Sequence, residues 1–154
     1  MDGSSIRVIA RNKKARFNYE IIETYEAGIV LEGHEIKSVK NGGISITESY
    51  IKPKGAELFL VGAQISPYQY TKDREIDPLR VRKLLLHRKE LNKLISRVNE
   101  RGFTIVPLEV YIKRGWAKLK IALARGKRVH DKRKSIKERE QKREIERALK
   151  RGKP

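Results

Sequence analysis

The last 29 residues, Gly126 to Pro154, read GKRVHDKRKSIKEREQKREIERALKRGKP and cannot join a hydrophobic core. They hold 13 Lys or Arg against 5 acids, no aromatic residue and only a handful of apolar ones. With no apolar face to bury, the segment has little to offset the entropy of ordering its own backbone, and mobility in the free protein is expected. No Pro or Gly interrupts it between Lys127 and Arg151, so it is rich in helix formers. Glu138 with Lys142 and Glu146 with Lys150 are i,i+4 pairs in the favourable order, each contributing about 0.3 kcal/mol. That is too little to secure a helix alone, and the tail reads as a helix that an acidic partner completes. Composition by itself leaves two readings, a solvated tail or a nucleic-acid-binding arm.

Residues 1–125 remain for the folded body, enough for one domain. The tail carries +8 of the chain's +18, so the body keeps +10 and both parts are basic. A sequence pI near 10.3 points to a polyanionic partner. A membrane is the weaker choice: runs such as Leu84 to Leu86 are far too short to span a bilayer, and the tail lacks the apolar face of an interfacial helix. The polar start at Asp2 does not resemble a secretory signal, and the chain has no Cys, which excludes disulfides, thiolate catalysis and Cys-built zinc sites. A cytoplasmic protein is expected. Abundant Lys, Arg and Glu with a single Met is also the usage of a thermophile.

Along the chain, a polar arm turns apolar at Ile6, Val8 and Ile9, and Asn12 can cap a short basic helix, NKKARFNYE, that groups Lys13, Lys14 and Arg16. From Tyr19 to Val39 the pattern is strand-like, with Gly28 and Gly33 as candidate bulges. Asn41-Gly42-Gly43 is a turn, and Ile44, Ile46, Tyr50 and Ile51 form another strand, closed by Lys52-Pro53-Lys54-Gly55. ELFLVGAQI is the next strand, ended by Pro67 and a polar loop to Asp77. Asp77-Pro78 has the form of a helix start. Leu84-Leu85-Leu86 fits either a strand or a helical turn, and the period does not separate them across 79–86. Leu91, Leu94, Ile95 and Val98 mark an amphipathic helix with a capping-box spacing from His87 to Glu90, stopped by Gly102. Val106, Leu108, Val110 and Ile112 alternate on one side, Lys113-Arg114-Gly115 turns the chain, and WAKLKIALA returns with Leu119, Ile121 and Leu123 inward and Lys118 and Lys120 outward. The sum is a mainly β body, a small antiparallel barrel of the oligonucleotide-binding (OB) type with accessory helices and a basic tail.

Chemistry is hard to find. His34, His87 and His130 are scattered without metal-ligand spacing, there is no phosphate-cradling Gly-rich loop or nucleophile elbow, and the carboxylates are interleaved with cations. No enzyme, no metal and no cofactor are expected. Lys13, Lys14, Arg16, Lys118 and Lys120 are candidate phosphate contacts, and Tyr19, Tyr25 and Tyr50 could stack on exposed bases, with at least one of them in the core. Glu26 and Glu32 flank GIVL and read from the residues alone as salt-bridge members or acceptors for a nucleotide edge rather than as a general acid, a strand-face salt bridge being favoured for Glu26.

Several blocks taken together resemble one family. NKKARFNY (12–19), YEAGIVLEGHEIKSVK (25–40), ITESYI (46–51), DPLRVRKLLLHRKEL (77–91), WAKLKIALARGK (116–127) and HDKRKSIKERE (130–140) are similar, in order and over nearly the whole chain, to small protein B (SmpB), the SsrA or tmRNA-binding proteins. The resemblance implies an OB-type body that binds the tRNA-like domain of tmRNA (SsrA RNA) and brings it to stalled ribosomes for trans-translation. It implies as partners the ribosome with its small-subunit rRNA and elongation factor Tu carrying the aminoacylated tmRNA, with the protein a monomer. It implies that the tail becomes helical in the empty mRNA channel near the decoding centre.

Carried over by position, the family's RNA-contacting acid falls on Glu26, and its Leu-Leu-Leu-Asn/His motif makes Leu85 and His87 contacts while Leu84 or Leu86 is core. The tail motif Gly-Lys-Lys-x-His-Asp-Lys-Arg falls on Gly126, Lys127, Arg128, His130, Asp131, Lys132 and Arg133, departing only by Arg at 128, with Lys137 and Arg139 further along the same channel segment. His130 is expected to stack on a decoding-centre base. The main competing reading is a ribosomal protein or initiation-type factor of the same barrel class bound to ribosomal RNA, and an RNA hydrolase is a more distant one.

Overall fold

The structure is a computed structural model and describes residues 5–67, 76–100, 102–127, 139–145 and 147. Among the described residues of the body nine strands and three helices follow one another: β1 (Ile6–Arg11), α1 (Lys13–Asn18), β2 (Tyr19–Ile29), α2 (Gly33–Lys40), β3 (Ile44–Ser45), β4 (Tyr50–Lys54), β5 (Glu57–Val61), β6 (Gln64–Ile65), β7 (Arg82–Leu85), α3 (Arg88–Val98), β8 (Phe103–Lys113) and β9 (Trp116–Gly126). Residues 139–145 and 147 of the tail are helical as well. Seven strands make one antiparallel sheet in the order β1-β8-β9-β2-β7-β5-β4, and β3 pairs with β6. β4 also approaches β8, so the sheet curls on itself in a way compatible with an OB-type barrel.

Its spine is the trio β8, β9 and β2, eleven residues each. Leu119, Ile121 and Leu123 alternate inward along β9 and meet Ile105 and Val110 of β8 and Ala27 of β2 in the main core, together with Leu58, Leu60, Leu84 and Leu94. The opposite face of the trio is apolar at one end only. There Ala122 and Ala124 leave room for α1, whose Ala15 packs on them with Val106 and Leu108. Val106 and Leu108 therefore do not share a side with Val110 and Ile112, as simple alternation predicts. The pairing with β9 shifts between Pro107 and Glu109, and the extra residue in β8 exchanges the faces.

Other expectations change, among them the single strands expected over Ile44 to Ile51 and over ELFLVGAQI, each of which is two: β3 and β4, and β5 and β6. The stretch from Tyr19 to Val39 is not all strand: β2 ends at Ile29 and Gly33–Lys40 is helical. Glu35, Ser38 and Val39 form its buried face at helical spacing, and the Glu35 carboxylate accepts the Glu32 backbone N–H at 3.0 Å to close the helix start. Asp77-Pro78 opens a turn rather than a helix, with the Arg80 N–H donating to the Asp77 carbonyl. Residues 82–85 are strand, which settles the ambiguity over the leucine run, and of the three leucines only Leu84 is fully buried.

A charged cluster joins these parts. Arg82 is 0% exposed and donates from Nε to Glu35 at 3.0 Å, from Nη1 to the Ala63 carbonyl at 2.8 Å and from Nη2 to the Pro78 carbonyl at 3.1 Å. Arg80 binds the other carboxylate oxygen of Glu35. Burial alone would raise the Glu35 carboxyl, but the bonds from Arg80, from the Glu32 N–H and from Arg82 outweigh it and hold the group below its ordinary range. Among the described residues no helix is long and apolar enough to cross a membrane.

Candidate nucleic-acid interface

Strand register builds the candidate face row by row. On the outer side of the spine, Arg11, Glu109, Lys120 and Glu26 stand opposite one another across β1, β8, β9 and β2. The next row, two residues along on β8, β9 and β2 and three along on β1 because of a bulge there, is Val8, Tyr111, Lys118 and Gly28. Rows in a sheet lie about 7 Å apart and neighbours within a row about 5 Å, so the aromatic ring and the two lysines surround Glu26 at contact range.

Glu26 is fixed from below. Its carboxylate accepts the Tyr111 hydroxyl at 2.5 Å and the Lys113 ammonium at 3.4 Å, while the side chain stays 39% exposed. The Tyr111 bond, more than the lysine, holds the carboxyl below its ordinary value. Burial pushes the Tyr111 hydroxyl up, and its bond to Glu26 pushes it further, so it remains a donor at any physiological pH. The arrangement is an acceptor with a set orientation and a free second oxygen edge. Beyond β2, the pairing of Gly28 with Leu85 brings β7 alongside, and Leu85 projects 53% exposed. His87, two residues further, is exposed at the start of α3, where its N–H donates to Glu90 at 3.3 Å and its side chain faces the Glu90 backbone N–H in a capping box.

Three shallow depressions follow one another along this surface. Glu26, Leu85, His87 and Lys118 line the first, Glu26, Tyr111, Lys120 and Glu109 the second, and Glu109, Arg11, Lys13 and Arg16 the third. Consecutive depressions share a wall, Glu26 and then Glu109. Lys13 and Arg16 reach this track because Asn12 seats α1: its Oδ1 accepts the Ala15 N–H at 3.3 Å and its Nδ2 donates to the Pro107 carbonyl at 3.0 Å. Lys13, Arg16, Lys118 and Lys120 make no ion pair with a described residue, whereas Arg88, Lys93 and Arg97 of α3 are each matched to an acid, Glu57, Glu23 and Glu100. These four cations thus have no acid partner among the described residues that a phosphate would have to displace.

Lys14 and Tyr19 do not join the track. They line a separate hollow on the other flank of α1 with Tyr50, and Lys14 is paired to Glu48 at 3.1 Å. Of the three candidate stacking tyrosines, Tyr50 is exposed and Tyr19 and Tyr25 are half-buried; among the described residues the buried tyrosine is Tyr111. Tyr111 and Lys113 are not singled out by composition or spacing. Their signal is the alternation itself, since odd positions after the bulge must share the face of Lys118 and Lys120. In the tail, Gly126 ends β9 and the Lys127 N–H donates to the Asn18 carbonyl at 3.0 Å, tying the exit of the body to the end of α1. Arg139 places its guanidinium 5.5 Å from the centre of the Phe17 ring. Arg128, His130, Asp131, Lys132, Arg133 and Lys137 lie outside the described residues. Among the described residues no cluster of three His, Asp or Glu could hold a metal ion.

Fold and face define a small basic protein on an antiparallel sheet that presents a cationic surface around one fixed carboxylate. The chain belongs to the SmpB family, whose model, described as SmpB protein, matches residues 9–151. It is 53% identical to the SsrA-binding protein of Geobacillus thermodenitrificans over 143 residues, covering 93% of this chain and 92% of that one. With the SsrA-binding protein of Thermosynechococcus vestitus it shares 47% over 149 residues, 96% of this chain and 98% of the relative. A solved structure described as "tmRNA-SmpB: a journey to the center of the bacterial ribosome" matches with a TM-score of 0.64 and 44% identity, covering 82% of this chain and 92% of that one.

Proposed function

We propose that the protein binds the tRNA-like domain of tmRNA through the face around Glu26 and carries it to stalled ribosomes for trans-translation. The observation that carries this reading is the likeness, over more than nine-tenths of the chain, to SsrA-binding proteins. The physical division of labour agrees with it. Lys13, Arg16, Lys118 and Lys120 neutralise phosphates and supply affinity with little sequence information. Glu26 can only accept hydrogen bonds, so it selects an edge that donates, a base amino or imino group or a 2′-hydroxyl. Leu85 and His87 give that edge an apolar and a polar neighbour. The tail, including Lys127, His130, Asp131, Lys137 and Arg139, enters the vacant mRNA channel and orders there against small-subunit rRNA. Elongation factor Tu accompanies the aminoacylated tmRNA, and the protein acts in the cytoplasm as a monomer without catalytic chemistry of its own.

The test is a titration of the tRNA-like domain with the full chain and with a variant lacking residues 131–154, at two salt concentrations, beside a control RNA of equal length. Both proteins should bind and prefer the tRNA-like domain, because every residue of the main core lies before residue 127, and only the full chain should support tagging of stalled products. Equal affinity for both RNAs, or tagging by the shortened chain, would sink the reading.

A further inference from the structure

The same face continues past Lys118 to a residue with no role so far. Trp116, the chain's only tryptophan, stands at the first position of β9 and is 68% exposed, more than the other large apolar side chains at the surface among the described residues. The hairpin before it turns through two residues of positive φ, Arg114 at 53° and Gly115 at 81°, the conformation of a tight two-residue connection. That turn fixes the register, and register fixes the indole. Trp116 pairs with Lys113 of β8, which pairs in turn with Ile6 of β1, so Ile6, Lys113 and Trp116 form the third row of the outer face. The row beneath holds Tyr111 and Lys118, about 7 Å away. Ala117, on the alternate side, is buried, which leaves the indole on the solvent side with Lys118 and Lys120.

A lone exposed apolar residue needs no explanation. This one has two features that point to an occupant. Lys113 links it to Glu26, being the cross-strand partner of the first and a ligand of the second. Cations lie beside it along the chain and the sheet: Arg114 in the turn, Lys113 across the hairpin and Lys118 two residues on along β9. A large flat ring in one row with apolar Ile6 and beside positive charge suits a nucleobase attached to phosphates, and suits an acidic or apolar protein surface less well because the described residues around it form no deep apolar pocket.

We infer that Trp116 is a base-stacking residue: an unstacked base of the RNA held at Glu26 lies on its indole. This rests on the RNA-binding role proposed above, and the experiment separates the two. The full chain is titrated with the tRNA-like domain of tmRNA while the emission of its single tryptophan is followed, and affinities of wild type, Trp116→Ala and Trp116→Tyr are measured with end-labelled RNA. RNA should quench the emission. Trp116→Ala should weaken binding about 5- to 150-fold, the range for loss of one stacked base, and Trp116→Tyr should restore most of it. The salt dependence should not change, because stacking releases no counterion. Thermal midpoints of the variants should match wild type, as the side chain covers little. Tight wild-type binding with unchanged emission, or an Ala variant that binds as well as wild type, overturns the assignment of Trp116 and leaves the RNA-binding role standing. A wild type that does not prefer this RNA to a control of equal length overturns both.

Discussion

One side of the β8, β9 and β2 trio has two ends made from the same three strands, on either side of a bulge in β8, and they behave in opposite ways. At one end, Ala122, Ala124, Val106 and Leu108 lie under α1 and are closed to water. At the other, Lys118, Lys120, Tyr111 and Glu26 occupy the equivalent outward positions and lie open. The difference is side-chain size and charge: two alanines on β9 admit a helix at contact distance, and two lysines further up the same strand cannot be roofed without stranding their charges. A binding face is made here by withholding a cover, and α1 contributes to both ends, with Ala15 beneath and Lys13 and Arg16 at the border.

The contrast can be broken most severely at the roofed end. Leu108, 4% exposed, fills the space that the bulge creates under α1, and Leu108→Ala should cost about 2 to 5 kcal/mol in denaturant unfolding. If the loss were well under 1 kcal/mol, α1 would not be a packed roof. Asn12→Ala, at the border, should cost about 1 to 2 kcal/mol by removing the helix cap and the bond to the Pro107 carbonyl. It should also weaken RNA binding, since Lys13 and Arg16 lose their fixed position. An Asn12→Ala protein as stable as wild type would show that the helix is held by packing alone.

The smallest effect on stability is expected at the open end. Glu26→Gln should change unfolding free energy by no more than about 1 kcal/mol, the scale of exposed ion pairs, while Glu26→Ala weakens binding of the tRNA-like domain. The pH dependence has a definite sign. The folded-state pKa of Glu26 lies below its ordinary value of 4.5, so its contribution is fully present above that value and is lost as pH falls through the folded one. The stability difference between wild type and Glu26→Gln should therefore be flat from neutral pH to about 5 and shrink in more acid solution. A difference that grew on acidification would contradict the Tyr111 and Lys113 bonds.

Much of this was legible in the residues. The β8–β9 hairpin follows from Lys113-Arg114-Gly115 between alternating runs, α1 from Asn12 before a basic stretch, and α3 from Leu91, Leu94, Ile95 and Val98. What misled was local. Ile29, Val30, Leu31, Ile36 and Val39 have strand-forming side chains, and the helical spacing of Glu35, Ser38 and Val39 is hidden because the decisive partner of Glu35 is Arg82, 47 residues away. The bulge at Leu108 is equally silent, since Leu108 is apolar on whichever side it falls. Glu26, Leu85 and His87 came from family resemblance. Periodicity could have added Tyr111 and Lys113, but it could not show that their hydrogen bonds converge on Glu26.

The Arg82 cluster has a consequence for error correction during folding. β7 is only four residues long, too short for its ladder to dictate alignment firmly. A slip by one residue would turn Arg82 toward water and bring Val81 or Lys83 toward the interior, leaving the Glu35 carboxylate buried with one guanidinium partner fewer. A misaligned β7 is thus penalised by an uncompensated charge, a cost of several kcal/mol against the fraction of that gained by any mispaired strand bond. One arginine proofreads the joint between helix, strand and the connection rooted at Pro78, and by setting β7 it also sets where Leu85 and His87 emerge.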